Sequence, residues 1–177
     1  MVAILRQDTT IASRLRVSEL VGFGRFPHGR GRLTDTDHRI VDAAIARFVL
    51  SDLSNRFIET LSGGQRQRAL VAMIFAQDTE YLLLDEPLNN LDMYYTRELM
   101  RILRQAASDN GKTIVIVLHD INQASVHADR IVAMKGGRIV ADGTPIEVLT
   151  PEMLETVSGL RTLVKEIEGK PFVLHQL

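Results

Sequence analysis

The pattern of apolar and polar positions changes character twice along the chain. Val2–Leu5 is a short apolar run that predicts a buried strand. Residues 22–32 are crowded with glycine and arginine and predict a loop. Apolar residues then recur at Ile40, Val41, Ala44, Ile45, Phe48 and Val49, the spacing of one helical face. Thr34 and Asp37 precede them at capping-box spacing, with Asp in the usual Glu or Gln place. A second helix is predicted from Ser62 through the apolar run Ala69–Ala76. From residue 80 onward strands and helices alternate. Tyr81–Leu84, Thr113–Leu118 and Arg130–Met134 read as strands, separated by helices over Met93–Ala107 and 121–128. Strands apolar at every position argue for a parallel sheet covered on both faces. Lys135-Gly136-Gly137-Arg138 predicts a hairpin turn into Ile139–Ala141. Thr144-Pro145 and Thr150-Pro151 each put proline at the first helical position after a capping threonine. Thr162–Ile167 and Phe172–His175 read as a terminal hairpin.

The length of 177 residues suits one well-packed domain, or one domain with an inserted subdomain. A net charge of −1 leaves no overall field to recruit nucleic acid or anionic lipid. With no cysteine there is neither a disulfide framework nor a thiolate metal site. The longest apolar run, Ala69–Ala76, is too short to span a bilayer. The opening MVAILRQDTT does not have the basic-then-apolar order of a signal peptide, so a soluble, cytoplasmic protein is expected.

Candidate chemistry lies where polar residues interrupt this pattern. Ser62 and Gln65 stand at capping-box spacing, and as a cap alone they would contribute roughly 0.5–2 kcal/mol. Gly63 and Gly64 in the same first turn carry an entropy cost that ordinary helices avoid. Their missing Cβ atoms would let a phosphate approach the free N–H groups and the positive end of the helix dipole. The strand Tyr81–Leu84 runs into Asp85 and Glu86 at its carboxyl end, the edge where open α/β sheets bind ligands. There Asp85 can hold Mg²⁺ through water and Glu86 can polarise an attacking water; the plainer reading is a solvated strand end stopped by Pro87. His119 and Gln7 likewise follow apolar strands, and either by itself would be structural. Gly111-Lys112-Thr113 mimics the end of a phosphate-binding loop, but the first glycine of that pattern would fall on Ala106, and the tripeptide precedes a strand. It reads as a helix C-cap.

Leu61-Ser62-Gly63-Gly64-Gln65 resembles the signature of ABC-type ATPases, and Leu82–Glu86 resembles their Walker B strand. Leu88–Asp92 is similar to the loop that contacts the partner subunit, His119 to the switch histidine, and Gln7 to the glutamine between nucleotide site and permease. All five occur in family order. Within the family, Gly22–Thr34, Gln65–Arg68 and Asp85–Met93 are most similar to ATPase subunits of iron(III)–siderophore importers.

The resemblance implies a P-loop NTPase core of α/β class, a parallel sheet with helices on both faces plus an α-helical subdomain. It divides the chain into a remnant strand and the glutamine loop (1–7), a helical signature subdomain (8–76), an α/β core (77–143) and C-terminal helices with a hairpin (144–177). It implies ATP and Mg²⁺ as cofactors, with Glu86 as general base and His119 sensing the γ-phosphate. Leu61, Ser62, Gly63, Gly64 and Gln65 would bind nucleotide in trans, Asp92 would link the two sites, and Gln7 and Asp85 would serve the metal. The partners implied are a second ATPase subunit and transmembrane permease subunits, at the inner face of the cell membrane, with no nucleic acid. In the family a lysine-bearing phosphate loop and an adenine-stacking aromatic residue lie upstream of the strand before Gln7. Neither occurs in these residues, so the resemblance implies a chain that lacks this N-terminal portion and is inactive alone. Two other readings stay open: a non-catalytic interaction fragment of the same family, and a chromosome-maintenance or repair ATPase, which the absence of long heptad coils disfavours.

Overall fold

The computed structural model describes residues 1–7, 14–29 and 31–174. Its contacts separate two compact units, Met1–Val117 and Leu118–Leu177.

The first unit contains, in chain order, β1 (Val2–Leu5), α1 (Val17–Phe23), α2 (Phe26–Gly29), α3 (Asp35–Arg47), α4 (Gly63–Ala76), β2 (Tyr81–Asp85), α5 (Met93–Asn110) and β3 (Thr113–Val117). The strands form one parallel sheet in the order β1-β2-β3, with Leu5 opposite Leu84 and Asp85 opposite Val117. Side chains alternate between the faces of a strand, so Ala3, Leu5, Leu82 and Leu84 share one face. They are buried in a single core with Val17, Leu20 and Val21 of α1, Val41 and Ile45 of α3, Val71 and Ile74 of α4, and Leu99 and Leu103 of α5. The other face carries Val2, Ile4, Tyr81, Leu83, Val115 and Val117, each 41–53 % exposed. Runs apolar at every position qualify both faces for burial, but α1, α3, α4 and α5 all join one core, and among the described residues that core is on one face.

The capping signals act as the sequence predicts. Thr34 caps α3, accepting from the Asp37 N–H at 3.2 Å while Asp37 Oδ2 accepts from the Thr34 N–H at 2.9 Å. Gly111 ends α5 in the left-handed conformation, φ 62°, as a helix C-cap glycine does. Residues 22–32, predicted as a loop, instead contain the end of α1 and the single turn α2; Arg30 lies outside the described residues. The misreading came from taking their glycines and arginines as solvated. A Cβ on Gly24 would stand 2.2 Å from the Met73 carbonyl oxygen, so this glycine permits α1 to close on α4. Arg25 is buried: it pairs with Asp37 at 2.8 Å and donates to the Ala76 carbonyl at 2.9 Å. Hydrogen bonds from the Thr34 backbone and hydroxyl, then from Arg25, hold the Asp37 carboxyl well below the usual carboxylate range.

The second unit contains α6 (Ile121–His127), β4 (Ile131–Lys135), β5 (Arg138–Gly143), α7 (Pro145–Val148), α8 (Pro151–Ser158), β6 (Leu163–Ile167) and β7 (Lys170–Leu174). Two antiparallel hairpins, β4-β5 and β6-β7, supply its strands. Val148, Leu149, Leu154 and Val173 form its core, with Ile121, Ile131 and Val164 packed against them. Gly136 and Gly137 have φ of 56° and 75°, the paired positive values of a tight hairpin turn. The expected hairpin forms, and the expectation that Arg130–Met134 joins the parallel sheet is not met, since among the described residues β4 pairs with β5. Both proline-led helices form, α8 with the Thr150 hydroxyl accepting from the Met153 N–H at 3.2 Å. β7 ends at Leu174; His175 lies outside the described residues.

Candidate functional site

Parallel pairing builds the centre of the site. With Leu5 opposite Leu84, two further residues on each strand bring Gln7 beside Glu86 at the carboxyl edge of the sheet. Gln7 Nε2 donates to Glu86 Oε2 at 2.8 Å, across 79 positions of sequence. Asn89 Nδ2 donates to the same oxygen at 2.6 Å. Glu86 itself has φ 49°, a left-handed conformation that non-glycine residues adopt only when their surroundings enforce it. Its N–H donates to the Val117 carbonyl at 3.2 Å, and its carbonyl accepts from the Asn89 N–H at 3.3 Å. Asp85, the last residue of β2, is half-buried beside it.

The signature turn packs directly on the segment that follows. Ser62 caps α4: its hydroxyl accepts from the Gln65 N–H at 3.3 Å, and Gln65 Oε1 accepts from the Ser62 N–H at 3.0 Å. Leu61 is half-buried and anchors this turn to the core. A helix start leaves its first N–H groups without intrahelical acceptors, so those of Gly63 and Gly64 remain for a ligand. The space above Gly64, however, is taken. A Cβ there would meet the Asn90 carbonyl oxygen at 2.7 Å, and one on Gly63 the Asn90 Cβ at 3.2 Å. The glycines therefore seat the 88–91 turn against α4, a reason for their presence that the helix-start argument missed. Gln67 Nε2 donates to the Pro87 carbonyl at 3.2 Å and adds a second link.

Arg68 supplies a third. Its guanidinium is buried, donates to the carbonyls of Phe48 at 2.9 Å and Val49 at 2.8 Å, and lies 3.8 Å from the centre of the Tyr95 ring. Burial lowers its pKa from the ordinary arginine value, and the cation gains back some attraction from the ring. Asp92 caps α5, its carboxylate accepting from the Tyr95 N–H at 2.9 Å. The residues from Ser62 to Asp92 thus form one connected surface in the first unit. His119 belongs to the second unit, one residue before Asp120, which caps α6 by accepting from the N–H groups of Asn122 at 2.8 Å and Gln123 at 3.3 Å.

The decoy is settled by its contacts. Lys112 Nζ donates to Asp78 Oδ1 and to the Thr79 carbonyl, both at 2.8 Å, and its ion pair holds the Asp78 carboxyl below the usual range. It is engaged by the protein itself. Sequence reasoning missed Asn89, whose signal was available: an amide three residues past Glu86, beyond a proline that breaks the strand, can reach back across the turn.

Comparison with known proteins agrees with this geometry. A model of the ABC transporter family matches residues 1–89. The chain is 46 % identical over 168 residues to the petrobactin import ATP-binding protein YclP of Bacillus subtilis, covering 95 % of this chain and 67 % of that protein. It is 38 % identical over 177 residues to the ferric enterobactin transport ATP-binding protein FepC of Escherichia coli, covering 98 % of this chain and 65 % of the relative. Among solved structures, a metal-chelate type ABC transporter in an inward-facing conformation superposes with TM-score 0.86 at 23 % identity, over 98 % of this chain and 72 % of that one. A post-hydrolysis dimer of an ATP-binding cassette with ADP and phosphate gives 0.73 at 26 % identity, over 81 % and 62 %. The chain spans about two thirds of the length of the relatives it matches. No helix among the described residues is long and apolar enough to cross a membrane. On the ordered motifs, the parallel sheet edge that joins Gln7 to Glu86 and these likenesses, the chain belongs to the ABC transporter ATP-binding family.

Proposed function

We propose that these residues serve an ATP-hydrolysing subunit of a bacterial importer for iron–siderophore or similar chelates. The observation that carries this reading is the contact of Gln7 with Glu86, which puts a carboxylate and a strand-end amide together at the ligand-binding edge of a parallel sheet. Glu86 acts as general base on the attacking water. Ser62, Gly63 and Gly64 present the start of α4 to the γ-phosphate bound by a second subunit, with Leu61 and Gln65 fixing that turn. Asp92 connects the two sites, and His119 contacts the γ-phosphate. The helical region up to Ala76 faces transmembrane permease subunits, which places the protein on the cytoplasmic face of the membrane. The names of the relatives, petrobactin and ferric enterobactin import ATP-binding proteins, support a chelate as cargo.

The oxygen donors here fit Mg²⁺. Asp85 offers a carboxylate and Gln7 an amide oxygen, the hard oxygen donors such an ion takes alongside water and phosphate. When bound, the ion neutralises charge on the phosphate oxygens.

The test is a chimera joining this chain to the third of the Bacillus subtilis relative that it leaves unmatched. The chimera is expected to hydrolyse MgATP and to restore petrobactin-dependent iron uptake to a strain without that relative. Glu86→Gln should reduce turnover by about 10²-fold or more while ATP-driven dimerisation, followed by light scattering, persists. Turnover unchanged in Glu86→Gln would return Glu86 to a solvated strand end.

A further inference from the structure

We infer that Asn89 is a positioning residue that aims the Glu86 carboxylate. This rests on the reading of Glu86 as general base and adds a residue to that site. Two amides converge on Glu86 Oε2, from Gln7 at 2.8 Å and from Asn89 at 2.6 Å, and together they fix the rotation of the carboxylate. The two donors are not equivalent. Gln7 follows another strand, β1, so its hold on Glu86 depends on how β1 sits against β2. Asn89 lies in the same turn as Glu86, tied to it by the backbone bond from the Asn89 N–H to the Glu86 carbonyl at 3.3 Å. Its donor therefore moves with the base, whatever the position of β1. Glu86 at φ 49° and Asn90 at φ 62° bracket the turn with two left-handed residues, a backbone shape that persists only where the surroundings enforce it. Asn89 is exposed and outside the core, so its amide contributes little to folding through packing.

The consequence is kinetic. A general base must meet its water within hydrogen-bond reach, and a displacement of about 1 Å can cost on the order of 100-fold in rate. In the chimera, Asn89→Ala and Asn89→Asp, which keeps the shape but removes the donor, should lower kcat by about tenfold or more. KM for ATP should stay within about twofold, because no contact assigned to the nucleotide uses this amide. Asn89→Ser, which keeps a donor on a shorter arm, should recover part of the loss. An unchanged kcat in Asn89→Ala overturns the inference, and so does a loss spread equally over kcat, KM and the unfolding midpoint. A parent chimera without turnover counts instead against the proposed function. In that case a double-mutant cycle of Asn89→Ala and Glu86→Ala on the unfolding midpoint of this chain decides the contact: non-additive effects uphold it and additive ones overturn it.

Discussion

Replacing Gly64 with alanine sets two effects against each other at the start of α4. Alanine in a helix is favoured over glycine by up to about 1 kcal/mol, so a helix start touching nothing would become more stable. In this structure the new Cβ would meet the Asn90 carbonyl oxygen at 2.7 Å, against ordinary contacts of 3.4–4 Å. The colliding atom is backbone, in a turn already held at φ 62°, so relief requires the 88–91 segment to move as a unit. Overpacking costs about 1–3 kcal/mol, and a clash with backbone belongs in the upper half of that range, so against a gain of up to about 1 kcal/mol the net loss is about 1–2 kcal/mol. For a chain of this size the unfolding midpoint, followed by circular dichroism, should fall by roughly 2–8 °C. Gly63→Ala is the internal control, since its Cβ meets a side-chain atom, Asn90 Cβ, at 3.2 Å, and a few tenths of an ångström of adjustment relieves it. Adding Asn90→Gly to Gly64→Ala should return part of the loss, because glycine lets the turn readjust at positive φ. A Gly64→Ala midpoint equal to or above the parent's would refute this packing role and restore the view that only a ligand needs the glycine. The same contact bears on any bulkier test of phosphate binding: Gly64→Asp disturbs the 88–91 turn as well as the phosphate path.

Three further outcomes follow from other contacts. The Asp37 carboxyl is depressed in the folded chain, so its contribution to stability is complete above the unfolded value of about 3.9 and is lost as pH falls toward the lower folded value. Asp37→Asn should therefore be less stable near neutrality, with Arg25 left buried and unpaired, yet lose less on acidification; parallel urea midpoints for the two proteins from pH 6 to pH 2 would contradict this. Gly24→Ala puts a Cβ 2.2 Å from the Met73 carbonyl oxygen and should lower the midpoint further than Gly64→Ala; the reverse order in thermal melts would show that α1 and α4 can separate cheaply. In the chimera, Lys112→Met should leave nucleotide binding by calorimetry unchanged, because that ammonium is held by Asp78 and Thr79; a lost ATP signal would make it a phosphate ligand.

The sequence by itself determined what depends on neighbours a few residues apart. Caps at Thr34 and Ser62, the glycine at 111, the prolines at 145 and 151 and the Gly136-Gly137 turn are local hydrogen-bonding and dihedral requirements, and the structure shows them where the residue types stand. The family was legible for a related reason: its motifs are short, ordered and chemically unusual, so their conjunction needs no coordinates. Residues 22–32 misled because glycine and arginine carry no mark distinguishing a solvated loop from a close helix contact with a buried cation; only the positions of Met73, Asp37 and Ala76 decide.

Tertiary structure alone decided the pairings between distant segments. Nothing near Gln7 announces Glu86, 79 positions away; the register of β1 on β2 makes them neighbours. The parallel sheet is the same case: β2 pairs with β1 and β3, segments distant in sequence, whereas β4 meets β5 through the turn already legible at Gly136-Gly137. The sequence offered a phosphate as the reason for Gly64, and the fold adds a second, bringing the Asn90 carbonyl to the place a Cβ would occupy. Local chemistry is written in residue type and spacing; a contact across the fold depends on strand register and helix approach, which the apolar pattern permits in several ways and close packing reduces to one.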